Sequence, residues 1–396
     1  MTRNLVCSLL LSTACAALLP AQTMDDLFND SVLHEVRLTV HPSDWRKLQR
    51  DYLDNTYYAA NLQWRGKTVE DVAIRSRGNG SRSSDKPGLK VDFNKYAPGQ
   101  EFLGLKSLVL DNLTQDQTFL KERLALQMFR RMGIPAPRLA HARLFVNDLY
   151  AGLYTMVEPV DQGFLKRNLG EDGGHLYDYE WANEYWFESL GDNAAAYIPK
   201  PFQLQTNESA PNPKALVNMI RAINNGGKEQ FVESVSQHLD PQQFLTYLAV
   251  EAFLAEADGI AGEWGLNNFY LYGLQNTERF VFLPWDKDLA FSGESRSVWA
   301  NLERNVLTRR MLAVPEWKEY FVGQLKRCEE LAGGPGGWLE QQIQAQYEQV
   351  RTAVADDPGK PYSYAQFEEG VELLRRFAFE RGPLVTEMVM ANADQN

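Results

Sequence analysis

The order of two periodicities constrains this chain more than any other feature. Apolar residues alternate with polar ones through much of the stretch before residue 160, as in HEVRLTV (34–40) and LKVDF (89–93). Beyond Lys214 they recur every third or fourth position over most of the remaining length. A strand turns successive side chains to opposite faces, whereas a helix returns to one face every 3–4 residues. Strands first and helices afterwards predict an α+β architecture of two lobes rather than an alternating α/β sheet. The expected division is a β-rich lobe over 22–160, a hinge and insertion over 161–213, and a helical lobe over 214–396. Strands are expected over 34–40, 57–64, 68–77, 89–93 and KSLVLD, with a hairpin over 139–158. A helix start is read at 42–50. One strong helix, QTFLKERLALQMFRRM (117–132), interrupts the β region and stops at Gly133. Helices follow over 214–223, 228–238, 241–256, 299–313, 316–331, 337–354 and 364–391. The tract 170–213 has no clean period and reads as a linker with an insertion over the cleft.

The N-terminus, MTRNLVCSLLLSTACAALLPAQ, has one Arg, an apolar run and a small residue at Ala21. This is the pattern of a secretory signal peptide over 1–21 cleaved after Ala21, and it predicts a secreted, periplasmic or cell-surface protein. The run is short for a membrane anchor, and no other segment could span a bilayer. A net charge of −12 argues against general nucleic-acid binding. Of three cysteines, Cys7 and Cys15 go with the signal and Cys328 stands alone, so no disulfide framework is expected. Five histidines without an HxxxH or HExxH pattern leave little basis for a zinc site.

The exception to the helical second half is Glu251–Phe291. A helix ends near Asp258-Gly259, a loop runs to Asn267-Asn268, and two β-rich runs, FYLY and RFVFL, flank the turn GLQNT. Asp286 and Asp288 follow directly. In an antiparallel hairpin the residue before the first strand lies beside the residue after the second. Asn268, or its neighbour Asn267, is therefore expected beside Asp286, with Asp258 reaching the same rim. Such an oxygen set suits Mg²⁺ or Mn²⁺.

The β-rich half carries RGNGSRSSDKPG (77–88) between strands, a Gly/Ser loop that can cover phosphates. Arg77, Arg82 and Lys90 supply its positive charge. Lys90 lies on the polar face of its strand, while Lys86 is the alternative nucleotide lysine within the loop. Glu122 falls on an apolar stripe of its helix and needs a partner if buried. Lys90 is the expected one.

Phosphoryl transfer assigns each part a task. Lys90, aimed by Glu122, neutralises phosphates, Asn268 and Asp286 hold metal ions, and Asp258 orients the attacking hydroxyl. Neither HRD nor DFG occurs; EAD (256–258) and WDK (285–287) stand in their places, which excludes an ordinary kinase.

The segments ADGIAGEWGLNNFYLY and FLPWDKDLAF, with RGNGSRSSDKPGLKVDFNKY and LFVNDLYAGLYTMVEPVDQGFLKRNLG, resemble the CotH kinase family of atypical kinases. The resemblance spans roughly 34–295 and implies a protein-kinase-like fold, ATP with a divalent metal, and Ser/Thr phosphorylation of a protein substrate. It carries the nucleotide lysine onto Lys90, the catalytic aspartate onto Asp258, and the metal ligands onto Asn268 and Asp286, with Asp288 as companion acid. Two other readings stand beside it. One is a binding or adhesion protein on the same scaffold; the other is a different transferase, such as a nucleotidylating or glutamylating enzyme.

Overall fold

The computed structural model describes residues 22–393. The expected signal peptide, with Cys7 and Cys15, lies outside the described residues. After a short capped helix, α1 (Met24–Leu27), come β1 (His34–Val40), α2 (Pro42–Arg50), β2 (Tyr58–Trp64) and β3 (Lys67–Ser76). Next are β4 (Leu89–Asp92), β5 (Ser107–Asp111), α3 (Lys121–Arg131), β6 (Leu139–Val146) and β7 (Leu149–Val157). The seven strands close a barrel in the order β1-β2-β3-β4-β5-β7-β6. Its interior is filled by the inward residues of each strand, among them Val36, Leu62, Trp64, Ile74, Leu89, Val91, Leu108, Leu110 and Met156. Alternation dictates what faces outward: Arg75, Lys90 and Val109 lie side by side in register, next to Val157. The β6–β7 turn is tight because Asn147 and Asp148 both take left-handed backbone, which these residue types tolerate best after glycine.

The chain then forms α4 (Gln162–Leu169), β8 (His175–Tyr179) and β9 (Phe202–Leu204). The helices α5 (Pro213–Asn224), α6 (Lys228–His238) and α7 (Pro241–Phe253) lead to the hairpin β10 (Phe269–Gly273) and β11 (Phe280–Pro284). The last elements are α8 (Val306–Leu312), α9 (Pro315–Ala332), α10 (Trp338–Asp356) and α11 (Tyr364–Ala393). The architecture is mixed α+β. Among the described residues no helix is long and apolar enough to cross a membrane.

The tract expected as a linker and insertion is partly sheet. β8 and β9 add to the hairpin, giving a second sheet in the order β11-β10-β8-β9. Tyr177 and Tyr179 face the large core while Leu176 and Asp178 face the other way. Five residues of mixed polarity were too few to show that alternation against an aromatic background. Three helix boundaries also differ. The α3 helix begins at Lys121 and not at 117. The α7 helix stops at Phe253, just before Ala255 turns into left-handed backbone. The α8 helix begins only at Val306, because the Asn305 side chain accepts from the N–H groups of Leu307 and Thr308 and fixes the N-cap. Cys328 is buried in the core, and burial pushes its thiol well up, which suits a packing residue and not a nucleophile.

Candidate active site

Between the outer face of the barrel and the second sheet lies a cleft of about 660 Å³. Its barrel wall includes Arg75, Arg77, Lys90, Lys106 and Val109; its sheet wall includes Leu176, Asp178, Gln203, Tyr270 and Trp285. Lys90 is half-buried on the cleft wall, where strand alternation put it. Among the described residues Lys90 makes no ion pair with Glu122.

Asp258 is built into the loop after α7. Its Oδ2 accepts from the Nδ2 groups of both Asn267 and Asn268, each at 2.9 Å, and its backbone N–H donates to Glu256 Oε1 at 2.8 Å. The Asn268 carbonyl accepts from the Trp285 N–H, which joins this loop to the end of β11. Asn268 and Asp286 both adopt left-handed backbone, so the turn at each strand end needs a residue that tolerates it. Hairpin geometry thus brings Asp258, Asn267, Asn268 and Asp286 to one rim. Both asparagines meet the same carboxylate oxygen, and the two alternatives expected for the ligand position stand side by side.

Behind the rim is a network that sequence reading did not resolve. Lys287, fully buried, donates to Glu251 Oε1 and to the Asn268 carbonyl, each at 2.8 Å. Glu251 Oε2 accepts from the Ile260 N–H at 2.7 Å. Gly259 passes so close that a Cβ there would stand 2.4 Å from Glu251 Oε1. Glu256 is buried, and among the described residues its Oε2 has no partner; burial lifts its carboxyl to about 7 against the opposing pull of Lys287. The visible signals were a Glu late in an apolar helix and a Lys between two aspartates, and neither names its partner.

Asp286 is pushed up to about 6, first by burial and then by Asp111, with Arg77 opposing. Asp288 and Glu122 are held well above the usual carboxylate range, by burial first and then by Asp286 and other carboxylates. Arg77 opposes the rise at both Glu122 and Asp286, joined at Asp286 by Lys287; it donates to Asp111 at 3.2 Å and lies over the Trp285 ring. Arg82 differs from expectation. It donates to the carbonyls of Gly78, Tyr52, Leu53 and Asp54 and to the Asn55 side chain, which ties the Gly/Ser loop down, and it does not line the cleft. Lys86 is likewise committed, in a fully buried ion pair of 2.7 Å with Asp357.

This crowd of carboxylates with few facing cations fits a hard divalent cation, which would relieve their mutual repulsion. Among the described residues no three His, Cys, Asp or Glu side chains converge into a cage. Mg²⁺ in nucleotide sites ordinarily takes one or two carboxylates and shares the phosphates, so a cage is not required.

Residues 74–385 match the family model CotH, described as CotH kinase protein. The chain belongs to this family. It is 26% identical over 360 residues to the inner spore coat protein H of Bacillus subtilis, covering 89% of this chain and 96% of that protein. Two Rhizopus delemar proteins are also similar. Spore coat protein homolog 1 is 21% identical over 77% of this chain, and invasin CotH7 is 24% identical over 68%. The CotH chain spans 52% and 45% of their lengths. Among solved structures, the proinflammatory kinase CtkA of Helicobacter pylori matches over 80% of this chain with 10% identity and a TM-score of 0.30. The Shewanella oneidensis HipA–HipB–operator complex matches over 70% with 11% identity and a TM-score of 0.35.

Proposed function

We propose that this CotH chain is an exported atypical protein kinase that transfers the γ-phosphate of ATP to Ser/Thr hydroxyls of a protein substrate, with Mg²⁺ or Mn²⁺. Membership of a family described as kinase supports the reaction class. The observation that carries the reading is the convergence of Asp258, Asn268 and Asp286 at one rim, beside a cleft lined by Arg77 and Lys90. Export rests on the N-terminal pattern and on the spore-coat names of its relatives.

Lys90, free of ion pairs among the described residues, supplies positive charge to the phosphates, and Arg77 adds to it from the neighbouring strand end. Asp258 has one carboxylate oxygen engaged by two amides and the other without a hydrogen bond among the described residues. That second oxygen orients the acceptor hydroxyl and takes its proton as the new P–O bond forms and the bond from the γ-phosphorus to the β–γ bridging oxygen breaks, releasing ADP. Asp286, with Asn268 and Asp288 beside it, would hold the metal, and Glu122 extends the negative field. A divalent cation held there would supply positive charge to offset the charge that develops on the phosphate. The Lys287–Glu251 pair keeps Asn268 and Asp286 in place.

The test uses purified protein with ATP labelled separately at the γ and α phosphates, comparing wild type with Asp286→Ala and Asp258→Asn. Metal-dependent γ label lost in both variants is the expected result. Label from the α phosphate instead would establish nucleotidylation. Absence of transfer, with no stabilisation by ATP, would leave a binding protein on this scaffold, the reading that the name of the Rhizopus invasin favours.

A further inference from the structure

The sheet wall of the cleft carries a row of polar groups that the reaction just described does not use. Asp178 is paired in register with Gln203 on one side and Tyr270 on the other, and all three line the cleft. Directly opposed residues hold their Cβ atoms roughly 5 Å apart, so the three act on the same part of any ligand. Among the described residues the Asp178 carboxylate has no hydrogen bond and no ion pair. Of the other carboxylates that line the cleft, Asp161 caps α4 through the Phe164 N–H, while Glu101 and Asp172, likewise without a hydrogen bond or ion pair among the described residues, lie outside the Gln203–Asp178–Tyr270 row. Burial raises Asp178 to about 6, and Arg77 is the cation that opposes the rise.

Its position along the cleft says what it meets. Two residues back on the same face of β8 is Leu176, with Val109 and Val160 also lining the cleft. This apolar part suits a base. Tyr270, paired with Asp178, packs on the Trp285 ring over which Arg77 lies, and Asp286 follows Trp285 at the phosphate and metal end. Asp178 stands between the two. An ionised carboxylate offers acceptors only, so its ligand group must donate, and the donors between a base and its phosphates are the sugar hydroxyls. Carboxylates take that role toward ribose in dinucleotide sites.

We propose that Asp178 accepts hydrogen bonds from the ribose hydroxyls of the bound nucleotide and sets a preference for ribonucleotides over deoxyribonucleotides. The inference rests on the cleft being the ATP site. The measurement is the affinity of the purified protein, with Mg²⁺, for ATP, 2′-deoxy-ATP, 3′-deoxy-ATP and GTP, in wild type, Asp178→Ala and Asp178→Val, which remove every acceptor of that side chain. Melting temperatures of the nucleotide-free variants report whether they are folded. Wild type should bind ATP on the order of tenfold more tightly than at least one deoxy analogue, as expected for a hydrogen bond to a charged group. Both variants should bind ATP as weakly as that analogue and no longer discriminate. Wild type binding ATP and both deoxy analogues equally would overturn the assignment. So would variants that keep the discrimination, or a change confined to the ATP/GTP ratio, which would make Asp178 a reader of the base. Failure of wild type to bind any of the four would overturn the ATP reading itself, and this inference with it.

Discussion

Lys287 and Glu251 form an ion pair of 2.8 Å in which both side chains are buried, and this pair fastens three separate segments at the rim. Glu251 comes from α7, Lys287 follows β11, and the Asn268 carbonyl shares the ammonium. Burying two charges is costly, and such a pair seldom stabilises more than a well-packed apolar one. Its value here is positional, because no apolar pair could also hold the Asn268 carbonyl and the Ile260 N–H.

Removing one partner should therefore be worse than removing both. Lys287→Met leaves an uncompensated buried carboxylate and should cost about 3–5 kcal/mol. The double variant Glu251→Leu/Lys287→Met should recover much of that in urea denaturation yet remain inactive in γ-phosphate transfer. A double variant with wild-type transfer would show that the pair does not position the rim.

Gly259 tests the same network from the other side. A methyl group there meets the Glu251 carboxylate at 2.4 Å, so either the loop or the ion pair must move. Gly259→Ala should lower stability by about 1–3 kcal/mol, the range for overpacking, and weaken transfer more than substitutions on the exposed face of α9. An unchanged denaturation midpoint would mean that the loop relaxes freely.

Positions that follow from local pattern were legible in the sequence. Strand alternation put Lys90 on the outer face of the barrel, and hairpin pairing put Asn268 near Asp286. Partnerships across long separations were not. Glu122 was recognisable as a carboxylate on an apolar stripe, but the cation facing it is Arg77, at the end of another strand, and not Lys90. Arg82 looked like a phosphate ligand because a Gly/Ser loop surrounds it; its partners are the carbonyls after α2, which no local pattern connects to residue 82. The strands β8 and β9 were hidden because strands of three to five residues, read alone, look like any polar–aromatic loop.

Glu256 gives the metal-free protein a pH dependence of definite sign. Burial raises its carboxyl from the ordinary value near 4.5 to about 7 in the folded state. The folded protein then binds a proton that the unfolded chain has already lost, so this contribution to stability is complete below about pH 4.5 and disappears as pH rises through about 7. Its size is on the order of 3 kcal/mol. Asp286 and Asp178 act in the same direction, so the diagnostic quantity is the difference between wild type and Glu256→Gln. That gap in unfolding free energy should change between pH 5 and pH 8 in favour of the variant. A constant gap would mean that Glu256 is not protonated in the folded protein.

The two lysines near the Gly/Ser loop should separate cleanly. Lys86 is fully buried, pairs with Asp357 at 2.7 Å and lies against the rings of Phe119 and Tyr154. Asp357 also accepts from the Leu153 and Gly359 N–H groups, so the pair clamps the helical tail to the barrel. Lys86→Met strands that carboxylate and should cost about 3–5 kcal/mol. Nucleotide affinity, measured where the variant remains folded, should stay near wild type. Lys90 is half-buried on the cleft wall with no ion pair among the described residues, so Lys90→Met should leave the denaturation midpoint within about 0.5 kcal/mol of wild type, as for substitutions that break no packed or paired feature. Its loss should instead appear as at least tenfold weaker ATP binding, the expected result of removing a charge-assisted phosphate contact. If Lys86→Met loses ATP binding while stability is retained and Lys90→Met does not, the nucleotide lysine is the buried one, and the loop must open to present it.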